Sequence, residues 1–328
     1  MMPDERTFSV VIGATGASGR LVVKHLAAAG EHVRAVNRSG RASVPAGVEV
    51  VGVDATDTTR LAEVCQGASV VYHCAMPPLT QWREQFPLLT DTIIHAAGAA
   101  GARLVYADDT WMYGRTTSPM TEQTAQRPAS NAGVLRAWLS ERILHAHARG
   151  DVRATVTRAS ELYGPGVTSL VATNVFAPAS KGRVAIWFGD PDLPLTPTYI
   201  DDFARVIVTL GVNAESEGEV WHVPTPPETT GRQFVREVFT QAGHHPRLVS
   251  IGSRTARVLG AVSPLVRHGA EILYQFEQPF VVDGSRFTAQ FGDLPVTPYR
   301  RAIGDTVRWY RRDQPVPAAV RERDSVDA

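Results

Sequence analysis

A glycine-rich turn between a short apolar strand and a helix constrains this chain more than any other feature. The turn reads Gly13-Ala14-Thr15-Gly16-Ala17-Ser18-Gly19, between the β-branched run at residues 8–12 and a helical pattern at 20–29. The first glycine permits a tight turn, the second lets backbone N–H groups approach a pyrophosphate, and the third lets helix and strand pack closely. Because it lies between a strand and a helix, the turn predicts a dinucleotide-binding βαβ unit.

Apolar runs and helical stretches alternate through the first half of the 328 residues. The strands are predicted at 8–12, 33–36, 48–53, 70–74 and 103–107, and two more runs follow at 154–157 and 220–223. Strands separated by helices imply right-handed crossovers and a parallel sheet that is covered on both faces. The predicted fold class is α/β, a Rossmann-type doubly wound parallel sheet with a smaller C-terminal substrate-binding lid.

The chain changes in character near residue 165, and prolines then crowd positions 191–197 and 224–227. We expect residues 1–165 to form an NADP-binding Rossmann domain, to which residues 198–224 return. Residues 166–328 would form mainly the lid, over the carboxyl edge of the sheet where such folds bind ligands. The charged and small residues 321–328 would form a short disordered tail.

The charge balance excludes several classes of partner. Lys and Arg total 33, as do Asp and Glu, so the formal net charge is zero. A neutral chain lacks the positive field of a nucleic-acid-binding protein or of a polybasic membrane-surface module. The two cysteines, Cys65 and Cys74, are too few for a disulfide framework and indicate a reducing compartment. With no membrane-length apolar run and no secretory signal, we expect a cytoplasmic protein that acts on a small molecule.

The ends of the second and third strands bear on the choice of cofactor. At Asn37, an NAD site would usually carry an acid that accepts the ribose 2′-hydroxyl. Arg38 and Ser39 follow and could bind a 2′-phosphate, so the sequence predicts NADP, with NAD the less favoured cofactor. The alternative is that Arg38 is a solvated surface side chain. Asp54 and Ala55 are placed to meet the adenine ring, although an Asp in a loop often caps a turn.

Histidines give a weaker signal. His73, Cys74 and Ala75 end the fourth strand and are expected beside the cofactor ribose, although a histidine there can also be simply packed. The remaining pairs, at 145 and 147 and at 244 and 245, lack cysteine or carboxylate partners at ligand spacing. The sequence therefore predicts no metal.

Several motifs occur in an order that resembles a known family. They are GATGASG, Asp54-Ala55, Tyr113-Gly114, Tyr163-Gly164-Pro165-Gly166 and Tyr199-Ile200-Asp201-Asp202. From about residue 8 to about residue 311, the chain resembles the extended short-chain dehydrogenases/reductases, in the NAD-dependent epimerase/dehydratase branch. This resemblance implies a nicotinamide cofactor across the strand tips and a substrate under the lid. It says less about the reaction, because one fold hosts many chemistries.

The resemblance also implies a catalytic set: a Ser or Thr after the fifth strand, and a Tyr and a Lys spaced Y-x-x-x-K on the next long helix. This chain departs from the set at all three positions. The serine position falls on Asp109, and alignment on Gly133 puts Ala132 at the tyrosine and Arg136 at the lysine. Arg136 could still bind the nicotinamide ribose, but an arginine is too basic to relay protons at neutral pH.

Replacement chemistry can come from residues that follow the fifth strand. A carboxyl group desolvated beside the cofactor, Asp108 or Asp109, can have a raised pKa and act as a general acid or base. Equally, Asp109 can cap the following turn. Thr110 could orient a carbonyl oxygen, and Tyr113 could supply a phenol, although the resemblance implies that this tyrosine is mainly structural.

The pocket is expected to be bordered by aromatic side chains. Trp82, Trp111 and Trp187 would favour a flat apolar ligand, and core packing is the competing explanation. Glu161 and Tyr163 follow the sixth strand on the expected pocket wall. Glu161 could instead be an exposed loop carboxylate.

Three functions fit the sequence. The favoured one is an NAD(P)-dependent oxidoreductase or epimerase/dehydratase-type enzyme with a non-standard catalytic residue set. The second is a non-catalytic NADP-binding redox sensor or partner-binding protein, and the third is a redox-neutral cyclase or lyase. A homodimer would pair through helices at 88–100 and 135–148, although the sheet beneath the first helix equally explains its apolar face.

Overall fold

The computed structural model describes residues 8–116, 119–252 and 271–312. The strands, numbered in chain order, are β1 (Phe8–Ile12), β2 (Val33–Asn37), β3 (Glu49–Gly52), β4 (Ala68–His73), β5 (Arg103–Asp109), β6 (Arg153–Ala159), β7 (Leu162–Tyr163), β8 (Ala185–Phe188), β9 (Pro194–Leu195), β10 (Thr198–Tyr199), β11 (Val220–His222), β12 (Thr229–Thr230) and β13 (Leu248–Ile251). The helices are α1 (Ala17–Ala28), α2 (Thr58–Cys65), α3 (Trp82–Ala99), α4 (Asn131–Ala148), the single turn α5 (Ala177–Ala179), α6 (Ile200–Val212), α7 (Gly231–Gln241), α8 (Ser285–Phe291) and α9 (Tyr299–Arg311).

A seven-stranded sheet in the order β3-β2-β1-β4-β5-β6-β11 forms the centre of the fold, and every adjacent pair is parallel. The central strands are nearly continuous runs of buried residues, as expected when helices cover both faces of a parallel sheet. The strand order reverses between β1 and β4. In open α/β sheets a ligand crevice lies at such a reversal, outside the carboxyl ends of the strands.

Helices pack on both faces and enclose two apolar cores. On one face α1 packs against α6, and Val22 and Phe203 belong to the same buried cluster. On the other face α2, α3 and α4 pack side by side, and Ile93 and Ile143 share a second buried cluster. The first core continues into the C-terminal part of the chain, so the lid and the sheet share one apolar interior.

The lid is built from short paired strands and two packed helices. β13 pairs with β8 in parallel, β12 pairs with β9 in antiparallel, and α9 packs against α7. A bridge between Met120 and Val282 connects the lid to the loop before α4. This arrangement places residues of the lid over the carboxyl ends of β5 and β6.

The predicted fold class is confirmed, and the element boundaries differ in detail. β5 continues through Asp109 instead of ending at 107, because its pairing with β6 extends to Ala159. α3 begins at Trp82 rather than 88. α4 begins at Asn131 rather than 135, since the Ser130 hydroxyl caps it by accepting the Gly133 N–H at 3.0 Å.

The chain returns to the sheet after residue 198, where α6 packs on α1 and β11 adds to the sheet edge. The proposed division at residue 165 remains a prediction, and residues 321–328 lie outside the described residues. Among the described helices, none is both long and apolar enough to cross a membrane.

Candidate active site

The glycine turn is held against the end of β4 so closely that only glycine fits. Gly13 has φ +83°, and a Cβ on it would lie 2.6 Å from the backbone N and Cα of Ala75. A Cβ on Gly19 would collide with the carbonyl oxygen of Gly13. The turn and the start of α1 are therefore brought to the crevice between β1 and β4.

The N-terminus of α1 has the features of an anion-binding helix end. Its N-cap residue is Gly16, which offers no side-chain cap, and no acidic residue lies in the first turn. Thr15 and Gly16 are exposed, while Ala17 and Ser18 are half-buried. First-turn N–H groups without a side-chain cap fit the pyrophosphate of a dinucleotide.

The end of β2 forms a compact loop with no acid at its first position. The side-chain oxygen of Asn37 accepts the backbone N–H of Ser39 at 2.9 Å, and its amide donates to the Arg41 carbonyl at 3.2 Å. Asn37 thus shapes the loop, while Arg38 is exposed. Whether Arg38 and Ser39 hold a 2′-phosphate stays a prediction.

At the end of β3, Asp54 shapes its own turn. Its carboxylate accepts a hydrogen bond from the backbone N–H of Thr56 at 3.0 Å and a second one from the Thr56 hydroxyl at 2.8 Å. These two hydrogen bonds lower the pKa of Asp54. Ala55 beside it is buried. The turn-capping alternative is thus the arrangement observed for this side chain, and contact with an adenine ring stays a prediction.

The three residues at the end of β4 divide between the interior and the turn. His73 has no exposure, its Nε2 lies 3.3 Å from Thr90 Oγ1, and burial lowers its pKa to about 3. A neutral, packed histidine is the result. Cys74 and Ala75 are half-buried beside the glycine turn, and burial raises the pKa of the Cys74 thiol to about 12.

Arg136 connects the end of β5 to α4. From the position that the resemblance assigns to lysine, its Nε lies 2.9 Å from Asp109 Oδ2 and its Nη1 lies 3.4 Å from Asp108 Oδ1. Nη1 also donates to the Tyr106 hydroxyl at 2.8 Å. Within the described residues, the acceptor for the remaining Nη2 is the thioether of Met76, at 3.3 Å. Because a thioether is a weak acceptor, this N–H can be redirected to a ribose hydroxyl at modest cost.

A second guanidinium, from Arg158, completes a buried charged cluster. Its Nε lies 3.4 Å from Asp108 Oδ2, and it donates to the Tyr113 hydroxyl at 2.8 Å and to Ser140 Oγ at 2.9 Å. Asp108 thus lies between two arginines, whereas Asp109 forms its ion pair with Arg136. Two carboxylates and two guanidiniums can balance their charges inside the protein.

Asp109 is the more accessible of the two carboxyl groups. Its side chain is 17% exposed, against 0% for Asp108. Burial raises the pKa of Asp109, while the Arg136 guanidinium opposes this increase. Its other oxygen accepts the Trp111 N–H at 2.9 Å, so Asp109 caps the following turn, and its role as a general acid or base stays a prediction.

The Tyr113 hydroxyl is part of a buried chain of hydrogen bonds. Its hydroxyl lies 2.6 Å from Nε2 of His222, whose Nδ1 lies 3.2 Å from the Asp283 carbonyl oxygen. Since a carbonyl only accepts, Nδ1 carries the proton and Tyr113 donates to Nε2. With Arg158 donating to the same phenol, Tyr113 holds the cluster together. Thr110, 1% exposed, begins the turn that contains Tyr113.

The predicted pocket aromatics fall into two groups. Trp82 and Trp111 lie 6.0 Å apart beside the cluster, and the Arg136 guanidinium stacks 4.7 Å above the Trp82 ring. Trp111 is half-buried, so it is the one of the pair that can offer a face to a ligand. Trp187 and Tyr163 belong instead to the buried core on the α1 face. Their contact with a substrate stays a prediction.

Glu161 is buried, so it is not the exposed loop carboxylate that the sequence left open. Its Oε2 accepts Nε2 of Gln275 at 3.2 Å, and its Oε1 accepts the Val171 N–H at 3.4 Å. Burial raises the pKa of Glu161 to about 7.

Several residues of the site were absent from the sequence-based candidates, including Tyr106, Ser140 and the three described next. Arg158 and His222 join the charged cluster, and Gln275 contacts Glu161. An arginine within the apolar strand β6 was an available signal. The other two could not have been found, because they depend on pairings more than 100 residues apart. No group of metal-ligating side chains occurs within the described ranges.

A glycine turn at the strand-order reversal and a polar cluster at the ends of β5 and β6 define a nicotinamide-dinucleotide-binding enzyme of the Rossmann class. The profile of the NAD dependent epimerase/dehydratase family matches residues 9–223, and the chain belongs to that family. The protein is an enzyme of the extended short-chain dehydrogenase/reductase type, with the departures at 109, 132 and 136.

Known proteins similar to this chain have several activities. The 2'-dehydrokanamycin reductase of Streptomyces kanamyceticus is 25% identical over 266 residues, which cover 77% of this chain and 72% of that protein. DesIV, a dTDP-glucose 4,6-dehydratase from Streptomyces venezuelae solved with NAD and TYD, is 19% identical with TM-score 0.76, covering 94% of this chain and 98% of that one. UDP-glucuronic acid 4-epimerase from Bacillus cereus, solved with UDP-glucuronic acid and NAD, is 17% identical with TM-score 0.76, covering 93% and 99%. At these identities the solved structures establish the fold alone.

Proposed function

We propose that this enzyme is an NADP(H)-dependent oxidoreductase that reduces a carbonyl group of a small molecule, with Asp109 as proton donor. The observation that carries the proposal is the environment of Asp109: a partly exposed carboxyl with a raised pKa, 2.9 Å from Arg136, at the tip of β5. Strand tips in this fold face the ligand crevice. A carboxyl group whose pKa is raised by burial can act as a general acid.

The residues divide the reaction between them. When bound, the dinucleotide supplies a hydride to the carbonyl carbon. Asp109 gives its proton to the carbonyl oxygen, so an alcohol and the oxidised dinucleotide are the products. The carboxylate left behind is held by Arg136 and by the Trp111 N–H. Asp109 regains a proton from solvent through its exposed edge.

Substrate and cofactor preferences are further parts of the proposal. The relative named as a reductase supports reduction as the direction of the reaction. The absence of an acid at Asn37 and the exposed Arg38 support NADP, although similar solved structures contain NAD. Trp111 supports a substrate with a flat apolar part, which would lie on the exposed face of its ring.

The first experiment is a fluorescence titration of the protein with NADPH, NADP⁺, NADH and NAD⁺. The proposal expects similar affinities for NADPH and NADP⁺, and weaker binding of the non-phosphorylated pair. A large preference for one redox state would favour the sensor alternative, and no binding would remove the dinucleotide from the proposal.

The second experiment measures NADPH oxidation with a panel of ketones and aldehydes. Asp109→Asn is expected to reduce kcat by about 100-fold or more, in line with the usual contribution of a positioned general acid. Asp192→Asn is the matched control, because that carboxylate is paired with Arg232 at the surface and forms no hydrogen bond or ion pair with the charged cluster of the described residues. Unchanged kcat in Asp109→Asn would overturn the assignment of the proton donor.

A further inference from the structure

Glu161 lies at the same carboxyl edge of the sheet as the proposed proton donor, Asp109. It follows Ala159 by two residues, and Ala159 is the register partner of Asp109 on the adjacent strand. The Glu161 carbonyl accepts the N–H of Thr198 at 2.9 Å, which fixes its backbone between β6 and β10. The residue is only 8% exposed. A third carboxyl group is therefore buried at the same edge as Asp108 and Asp109.

The partners of Glu161 differ from those of the other two acids. Asp108 and Asp109 each contact a guanidinium, whereas the side chain of Glu161 accepts hydrogen bonds from neutral groups. These donors belong to Ser169, Val171 and Gln275. In the part of the chain that the structure describes, no cationic side chain forms an ion pair with Glu161.

Gln275 supplies an independent observation. The residue is only 2% exposed. Its Nε2 donates to Glu161, and its Oε1 is buried without a hydrogen-bond partner among the described residues. A buried acceptor of this kind is costly unless something donates to it. Carboxylate oxygens and an amide oxygen that needs a donor thus lie together.

The same segment connects this pair to the reaction centre. Gln275 belongs to the short turn Leu273–Phe276, and its neighbour Tyr274 donates to the Trp111 carbonyl oxygen at 3.0 Å. Trp111 in turn donates its N–H to Asp109. One turn of the lid therefore contacts both the proton-donor side of the site and Glu161.

We propose that Glu161 and Gln275 form the subsite for a primary ammonium group of the substrate. This inference rests on the proposed function, since it specifies the substrate of the same site. An ammonium offers three N–H donors, which match the carboxylate oxygens and the free Gln275 oxygen, and its charge neutralises Glu161. The same carboxylate would repel a diphosphate, so the subsite disfavours a sugar nucleotide.

The test uses ketones that differ only in charge. Two samples are titrated by calorimetry, the protein saturated with NADP⁺ and the protein without dinucleotide. The ligands are 3- and 4-aminocyclohexanone and the corresponding hydroxycyclohexanones. The wild type is expected to bind at least one amino compound about tenfold or more tightly than its hydroxy counterpart. Glu161→Gln should abolish this preference while its melting temperature and dinucleotide affinity stay close to those of the wild type.

Glu277→Gln is the matched control, because Glu277 lies just after the same turn but is paired with Arg115. It should keep the amino preference. Equal or undetectable binding of the amino compounds by the wild type, or a preference that persists in Glu161→Gln, overturns the ammonium subsite. If the protein binds no dinucleotide, the proposed function is overturned. The ammonium subsite is then decided by the ketone titrations of the protein without NADP⁺.

Discussion

Asp108 and Arg158 are register partners on adjacent strands of the central sheet, and Arg158 Nε lies 3.4 Å from Asp108 Oδ2. Their side chains are 0% and 1% exposed, so an ion pair lies inside the sheet where apolar residues would be usual. The pair tolerates this position because both partners have further hydrogen bonds, to Arg136 on one side and to Tyr113 and Ser140 on the other. Removing Arg158 leaves Asp108 with the Arg136 guanidinium alone, and removing Asp108 takes away the carboxylate that Arg158 contacts.

Arg158→Met should therefore destabilise the protein strongly. It leaves the Tyr113 and Ser140 oxygens without a donor and Asp108 with a single guanidinium, and breaking such a buried pair costs about 3–5 kcal/mol. The free energy of unfolding in urea measures the effect. Arg232→Met, which removes an exposed pair with Asp192, should cause little change. Equal losses in the two variants would contradict the structural role of Arg158.

Adding Asp108→Asn to Arg158→Met provides a second check. The double variant removes the uncompensated charge, so it should recover part of the stability lost in Arg158→Met. Strictly additive losses would indicate that Asp108 and Arg158 do not interact.

Arg136→Gln should move the pH profile of reduction. Reduction needs protonated Asp109, so kcat/KM is expected to fall as pH rises through the pKa of that carboxyl group. Arg136 lowers this pKa against the effect of burial. Without the guanidinium the pKa rises, and the alkaline limb of the profile should shift to higher pH even as the maximal rate drops. A limb that stays at the wild-type pH would place the titrating acid elsewhere.

The fold could be predicted because its determinants are local in the sequence. The glycine turn and the alternation of strands and helices identify the sheet without any knowledge of distant contacts. The extent of β5 was missed because two polar residues at the end of an apolar run look like a loop. Their pairing with Arg158 and Ala159, about 50 residues later, makes them part of the sheet.

The chemistry of the site was only partly predictable for the same reason. Asp109 and Arg136 could be found from their positions relative to a motif, but their mutual contact and their burial could not. The sequence gives the same two alternatives for Trp82 and Trp187, contact with a ligand or packing in the core. One packs under the Arg136 guanidinium beside the cluster, and the other packs against Phe276 in the lid. Which partner each tryptophan meets depends on the tertiary packing alone.

Gly13→Ala should abolish dinucleotide binding, because the new methyl group would need the space of the Ala75 backbone. Gly47→Ala is a close control, since Gly47 has nearly the same backbone angle, φ +84°, with no atom within 4 Å of the added carbon. It should cost about 1–2 kcal/mol of backbone strain and leave NADPH affinity unchanged. Fluorescence titration and thermal unfolding separate the two effects. Equal affinities in the two variants would argue against the glycine turn as the dinucleotide site.

Glu161 should make stability depend on pH. Burial raises its pKa from 4.5 to about 7 in the folded protein, so folding favours the protonated form. Its stabilising contribution is full below pH 4.5 and is lost as pH rises to about 7. Wild-type stability relative to Glu161→Gln should therefore fall by up to about 3 kcal/mol over that interval. Chemical unfolding of both proteins at several pH values measures it, and a constant difference would show that Glu161 does not titrate there.

The exposed apolar side chains of α3 and α4 support a homodimer as a further proposal. Val134 and Trp138 are 55% and 42% exposed, one turn apart on α4, and Leu88 on α3 is 53% exposed. Asp91 and Arg142 join the two helices between these side chains, and the Arg142 guanidinium lies 5.2 Å from the Trp138 ring. The patch thus spans both helices and has the shape of a surface that a second copy can cover.

Trp138→Glu should therefore convert a dimer into a monomer at micromolar concentration, since it places a charge at the centre of the apolar patch. Sedimentation equilibrium measures the mass of each species. Val212→Glu, at a residue 59% exposed at the end of α6, is the control and should remain dimeric. The patch would be excluded as the interface if the wild type is monomeric at 100 times the assay concentration, or if Trp138→Glu remains a dimer.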